Sequence, residues 1–222
     1  MNTKKEDRIR LAGCILILIV TVACFLFKVF YNGKKSPYFY PDPAYDDGRP
    51  YIDVQLLTPN AYSRPCIATE NITSIVIHYV GNSGSTAQGN RDYFENLQYT
   101  QETYASSNFI VGLKGEIIQC IPTKEIAYAS NNRNTDTLSI ECCHPDETGE
   151  FTEDTYDSLV QLTAWLCKRF SLEKDDVIRH YDVTGKDCPR YFVQNEDAWE
   201  QFKEDVQTRK KEIISAENGK KS

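Results

Sequence analysis

The sequence lacks the basic excess that a nucleic-acid-binding protein needs. Among its 222 residues Lys and Arg number 25 against 32 Asp and Glu, a formal net charge of -7. An acidic chain gets no electrostatic help toward DNA or RNA, and nucleic acid is not expected as a partner. Histidine is scarce at three residues, and no compact metal motif of the HExxH kind is present. Any metal centre must therefore be assembled by the fold from distant positions. Internal repeats and low-complexity tracts are absent. What remains is 41% apolar and 26% charged, enough to bury a core and of a length for one domain with an appendage or at most two small domains. The charge is uneven: residues 1–49 hold eight Lys/Arg and five Asp/Glu, leaving 17 against 27, a balance of -10, for residues 50–222.

Only one long hydrophobic run exists. Leu11 to Phe27 (LAGCILILIVTVACFLF) has 17 residues without a charge or proline and continues through Lys28 to Tyr31. About 20 apolar residues cross a bilayer, Lys28 can snorkel, and Tyr31 suits the headgroup belt. A buried core helix would show a polar face at helical period, and this run has none. Residues 11–31 are accordingly expected to be a transmembrane signal-anchor after a short N-terminal tail, 1–10. Bulky residues (Phe25, Phe27, Lys28, Val29, Phe30) fill the zone where a signal peptidase needs small ones, so the anchor is expected to stay uncleaved. Leu11-Ala12-Gly13-Cys14 looks like an acylation box but begins the apolar stretch, where such boxes end it. Lys4, Lys5, Arg8 and Arg10 precede the span and Lys28, Lys34 and Lys35 follow it, a small bias toward a cytoplasmic N-terminus. Residues 32–50, rich in Pro, Gly, Tyr and Asp, read as a linker or stalk, with docking of its Tyr-rich half on the domain nearly as good a reading.

The body alternates strand and helix patterns. Ile72 to Val80 (ITSIVIHYV) is β-branched and nearly all apolar, as in a central strand buried on both faces. Tyr93, Phe94 and Leu97 place a helix over about 86–99, and 108–111 and 116–121 flank Gly112-Leu113-Lys114-Gly115 as a hairpin. Thr137 to Cys142 is a further strand. Thr152 caps a helix reaching Phe170 with Leu159, Leu162, Leu166 and Phe170 on one stripe. Val177 to Tyr181 is a short strand, followed by an irregular loop and a helix from Asn195 through Ile214 with acids first and bases last. The class is α/β with a single mixed β-sheet flanked by helices, over residues 51–215, followed by a frayed polar tail, 216–222.

His78 and His180 fall near the C-terminal ends of predicted strands, where α/β sheets place their ligands. Cys188 follows His180 by eight positions in the loop DVTGKDCPR. Two imidazoles and a thiolate make three good zinc ligands, and a catalytic zinc site keeps its fourth position for water.

At these positions the sequence resembles the zinc-dependent N-acetylmuramoyl-L-alanine amidases related to phage amidase lysozymes and peptidoglycan recognition proteins. The resemblance is carried by IVIHYVG (75–81), SSNFIVGLKGEIIQCIP (106–122), NTDTLSIECC (134–143) and RHYDVTGKDCPR (179–190), in the right order over roughly residues 55–210. It implies an amidase-like mixed sheet flanked by helices and a Zn2+ ion held by His78, His180 and Cys188. The implied reaction hydrolyses the amide between N-acetylmuramic acid and L-alanine in peptidoglycan. It also implies that Glu141, in the strand segment Ser139-Ile140-Glu141, acts on the zinc-bound water, and that Lys186, two residues before the Cys ligand, stabilises the oxyanion. Many relatives carry His or Tyr at the start of the hairpin in patterns like SxHY. This chain has Ser107-Asn108-Phe109, so no assisting ring is expected there.

The expected molecule is a membrane-anchored amidase with an extracytoplasmic body and peptidoglycan as its substrate. Two other readings stay open: a non-catalytic peptidoglycan-binding module on the same fold, and a cysteine hydrolase with Cys188 as nucleophile. The remaining body cysteines are unassigned, Cys120 with Cys142 or Cys143 being compatible with a pair. His144 is expected on a surface loop at the rim of the site.

Overall fold

A computed structural model describes residues 47–220. The transmembrane segment expected at 11–31 and most of the 32–50 stalk lie outside the described residues. Among the described residues no helix is long and apolar enough to cross a membrane.

Six strands form one mixed sheet: β1 (Asp53–Val54), β2 (Ser74–Tyr79), β3 (Phe109–Val111), β4 (Ile117–Gln119), β5 (Thr137–Cys142) and β6 (Val177–Arg179). Their order across the sheet is β1-β4-β3-β5-β2-β6. Only β3 and β4, the expected hairpin, run antiparallel; the other neighbours are parallel. The β-branched β2 lies between β5 and β6, as its apolar character on both faces demands.

Among the described residues five α-helices accompany the sheet: α1 (Ala87–Thr100), α2 (Glu153–Phe170), α3 (His180–Thr184), α4 (Arg190–Gln194) and α5 (Glu196–Lys220). The hydroxyls of Thr86 and Thr152 accept from the backbone N–H of Gly89 and Thr155, which starts α1 and α2 where the sequence places them. Successive strand side chains point to opposite faces. Ile75 and Ile77 of β2 and Leu138 and Ile140 of β5 thus meet Leu159, Leu162 and Leu166 of α2 and Phe202, Val206 and Ile213 of α5. On the other face Val80, Ile110 and Ile118 pack with Phe94 and Leu97 of α1.

Three boundaries differ from the sequence reading. The final helix continues to Lys220, past Ile214, so residues 216–220 belong to it. The stretch expected to be an irregular loop after β6 contains α3 and α4, each five residues long and too short to show a period. The end of the expected stalk is part of the body. Trp165 Nε1 donates to Asp47 Oδ2 (3.1 Å), Lys168 Nζ to the Asp47 carbonyl (3.0 Å) and Gln161 Nε2 to the Gly48 carbonyl (2.8 Å). Gly48, at φ +78°, sits so close to α5 that a Cβ there would lie 2.4 Å from Ile213 Cγ2.

Phe192 of α4 is 2% exposed and packs against Phe151, Trp199 and Phe202 at centroid distances of 5.3 to 5.4 Å. Phe192→Ala is expected to cost about 3 to 5 kcal/mol of stability. Urea unfolding curves of the variant and the wild type check this; midpoints that coincide would refute it.

Candidate metal centre

Alternation along three adjacent strands builds the site. With Ile77 and Ile140 facing α2, His78 and Glu141 share the opposite face, and the two are paired in the parallel register of β2 and β5. Ile77 pairs with Arg179 on the other side, so His180, one residue further, turns its ring to the same face. His180 is the first residue of α3 rather than part of the expected strand. Asp182 fixes that turn: its carboxylate accepts from the Arg179 backbone N–H (2.8 Å) and from both Nε and Nη2 of the Arg179 guanidinium. Cys188 returns to the site from the loop after α3, and its carbonyl accepts from the Tyr181 N–H (2.9 Å).

The three expected ligands converge. One candidate ligand atom each from His78, His180 and Cys188 lie within 4.8 Å of one another, and all three residues are buried. The two rings are 4.6 Å apart, and Cys188 Sγ is 3.9 Å from His78 Nδ1. Among the described residues this is the group of His, Cys and carboxylate side chains arranged to hold a metal. Both Nε2 atoms are engaged, His78 Nε2 at 3.2 Å from Ser130 Oγ and His180 Nε2 at 3.1 Å from Asn131 Oδ1. Both Nδ1 atoms face inward, and that of His180 is buried without a hydrogen-bond partner. Glu141 Oε1 is 4.0 Å from His78 Nδ1, while its Oε2 is likewise buried and unpartnered. Buried polar atoms rarely go unsatisfied. Here two of them surround the place where the three ligand atoms meet.

The electrostatics suit a cation. Burial, reinforced by the neighbouring His180 and Lys186, pushes His78 well below the ordinary imidazole range, and burial with Lys186 lowers His180. Both rings are held neutral, the state that binds metal. Burial pushes Glu141 up to about 8, with Lys186 opposing it. Burial, reinforced by Glu141, pushes the Cys188 thiol up to about 12, although the Tyr79 N–H and Lys186 pull the other way. Burial thus works against a free thiolate at Cys188, the form a cysteine nucleophile needs. A divalent cation, by contrast, displaces a thiol proton outright. Lys186 is exposed, yet its charge acts on all four of these groups.

The sequence profile described as N-acetylmuramoyl-L-alanine amidase (Amidase_2) matches residues 68–191, more than half of the chain. The chain belongs to that family. Amidase BlyA of Bacillus subtilis is 32% identical over 171 residues, which cover 68% of this chain and 45% of the relative. Amidase CwlL of Bacillus licheniformis is 31% identical over 159 residues, 66% of this chain and 44% of the relative. The chain thus spans less than half the length of these curated relatives. Among solved structures, PlyL (22% identity, TM-score 0.61) matches 70% of this chain and 96% of its own. The catalytic domain of XlyA (23%, TM-score 0.56) matches 68% and 98%. These likenesses show that the mixed sheet flanked by helices is the amidase-family fold.

Other expectations need correction. His144 is not on the rim: it is 2% exposed, with Nδ1 2.7 Å from the Asp146 carbonyl and Nε2 2.9 Å from the Val80 carbonyl. It ties the loop after β5 to the end of β2. All six cysteines among the described residues are free, and the Cys120 pair with Cys142 or Cys143 is not formed. Asn108 is fully buried, its Oδ1 accepting from the Ser139 N–H (3.0 Å) and its Nδ2 donating to the carbonyls of Pro122 and Glu125. Ser130 and Asn131 escape a sequence reading because they stand 52 and 49 residues from the rings they touch. The signal open to sequence is the polar run Ser130-Asn131-Asn132-Arg133-Asn134 ahead of a buried strand.

Proposed function

We propose that the chain hydrolyses the amide between N-acetylmuramic acid and L-alanine in peptidoglycan, using a zinc ion held by His78, His180 and Cys188. The observation that carries the reading is the meeting of two neutral imidazoles and one thiol around an unpartnered nitrogen, with a buried carboxylate beside them. Family membership supports the bond acted on. When bound there, zinc would polarise the amide carbonyl and bring the pKa of a water ligand toward about 7.

The chain's own groups do the rest. In its ionised form Glu141, whose Oε2 has no hydrogen-bond partner, accepts a proton from the attacking water. It then delivers that proton to the departing alanine nitrogen. Lys186 supplies positive charge facing the negative oxygen that develops on the carbonyl. The apolar run at 11–31 supports an anchor that holds the body beside this polymer at the outer face of the membrane.

Digestion of purified peptidoglycan by the full chain tests the reading. New alanine N-terminal amino groups are expected, without new reducing sugar ends, and a chelator stronger than the site should stop their release. Reducing ends without alanine termini, or binding without cleavage, would overturn it.

A further inference from the structure

Two imidazoles that must both present Nδ1 to one point have a problem of choice. A neutral ring can carry its proton on either nitrogen, and each ring can be turned over. The described structure answers it with two adjacent residues. His78 Nε2 faces Ser130 Oγ at 3.2 Å, and His180 Nε2 faces Asn131 Oδ1 at 3.1 Å. An amide oxygen only accepts, so His180 must carry its proton on Nε2, leaving a lone pair on the buried, unpartnered Nδ1.

The segment that supplies these partners is held by its own hydrogen bonds. Asn134 Oδ1 accepts from the N–H groups of Ala129 (3.2 Å) and Ser130 (2.6 Å), and Thr137 Oγ1 donates to the Arg133 carbonyl (2.6 Å). The Arg133 guanidinium bonds Asp136 and reaches the hydroxyls of Thr73 and Ser74 at the start of β2. Asn131 itself sits at φ +53°, a left-handed conformation that asparagine tolerates better than most residues. This one turned residue lets neighbours in sequence address rings on two different elements.

We propose that Ser130 and Asn131 form a clamp that orients both candidate metal-binding imidazoles, with Asn131 the dominant member because it also sets the tautomer of His180. They are positioning residues, acting on the metal through His78 and His180. The inference rests on the zinc reading given above. Holding a ligand ring in its binding tautomer contributes about 10- to 100-fold in metal affinity where such partners have been removed.

Asn131 is exposed and in a left-handed turn, so Asn131→Gly keeps the backbone while removing the acceptor, and Asn131→Asp keeps an acceptor oxygen. Zinc affinity of the full chain, measured by competition with a chelator, is expected to fall about 10- to 100-fold in Asn131→Gly and to stay at or above the wild-type value in Asn131→Asp. Nitrogen-15 spectra of the metal-free proteins give a second readout: His180 protonated on Nε2 in the wild type, and a mixture of tautomers in Asn131→Gly. Asn131→Gly within about twofold of wild-type affinity with its tautomer unchanged would overturn the clamp, as would an Asn131→Asp variant as weak as Asn131→Gly. A wild-type chain that takes up no zinc would refute the metal reading instead, and the tautomer spectra would still decide the clamp.

Discussion

Cys188→Ser is expected to abolish stoichiometric zinc binding and to lower alanine release from peptidoglycan by at least about 1,000-fold, the scale of losing a metal that provides several kcal/mol of transition-state stabilisation. A serine hydroxyl does not ionise in exchange for zinc as a thiol does, so the site keeps two neutral ligands where three are needed. Serine is close to cysteine in size. The 2%-exposed pocket around position 188 therefore gains no sizeable cavity, and the fold should persist. Thermal unfolding separates the two effects. Zinc at about 1,000 times its dissociation constant should stabilise the wild type by about 4 kcal/mol and leave the variant unmoved. A variant that keeps one zinc per chain and activity within tenfold of the wild type would refute the assignment of Cys188.

Glu141→Gln should lower the rate of hydrolysis by about 100- to 10,000-fold, the usual contribution of a general base, while zinc stoichiometry stays at the wild-type value. Glutamine keeps the volume and polarity of the side chain but cannot hold the transferred proton. The same variant makes a second, independent prediction about stability in the metal-free protein. Burial raises the Glu141 carboxyl from an ordinary 4.5 to about 8, so the folded state binds its proton more tightly than the unfolded chain does. That contribution to stability is fully present below about pH 4.5 and is lost as the pH rises through about 8. Relative to Glu141→Gln, metal-free wild type should therefore lose stability across this window. Urea midpoints of both proteins from pH 4 to 9 check it; parallel curves would show that Glu141 is not held protonated.

The sheet and the long helices were legible because their signals are local. The β-branched run at 74–79, the turn at 112–115 and the Thr152 cap each act within a few residues. The candidate ligands could be picked out because His78, His180 and Cys188 lie on recognisable segments, and strand alternation places His78 on the face that His180 reaches from the end of β6. What escaped depends on contacts between distant segments. Ser130 and Asn131 matter only because a loop ahead of β5 passes beside β2 and α3. His144 stands on a loop, as expected, but two backbone carbonyls draw it inward, and no pattern around Pro145 announces that. The short helices α3 and α4 hold through an Arg179–Asp182 pair and the burial of one phenylalanine, not through a period. Asp47 and Gly48 looked like spacer residues because their partners, Gln161, Trp165 and Lys168, come more than a hundred positions later.

That last attachment governs how the body meets mechanical load. The chain enters on the side occupied by α2 and α5, across the sheet from the row formed by His78, Glu141 and His180. A pull on the backbone at residue 47 meets the hydrogen bonds from Trp165, Lys168 and Gln161 of α2 before it reaches β1, six residues further along the chain. β1 is an edge strand with β4 and β3 between it and β5, so the row of His78, Glu141 and His180 stands behind several ladders of backbone hydrogen bonds.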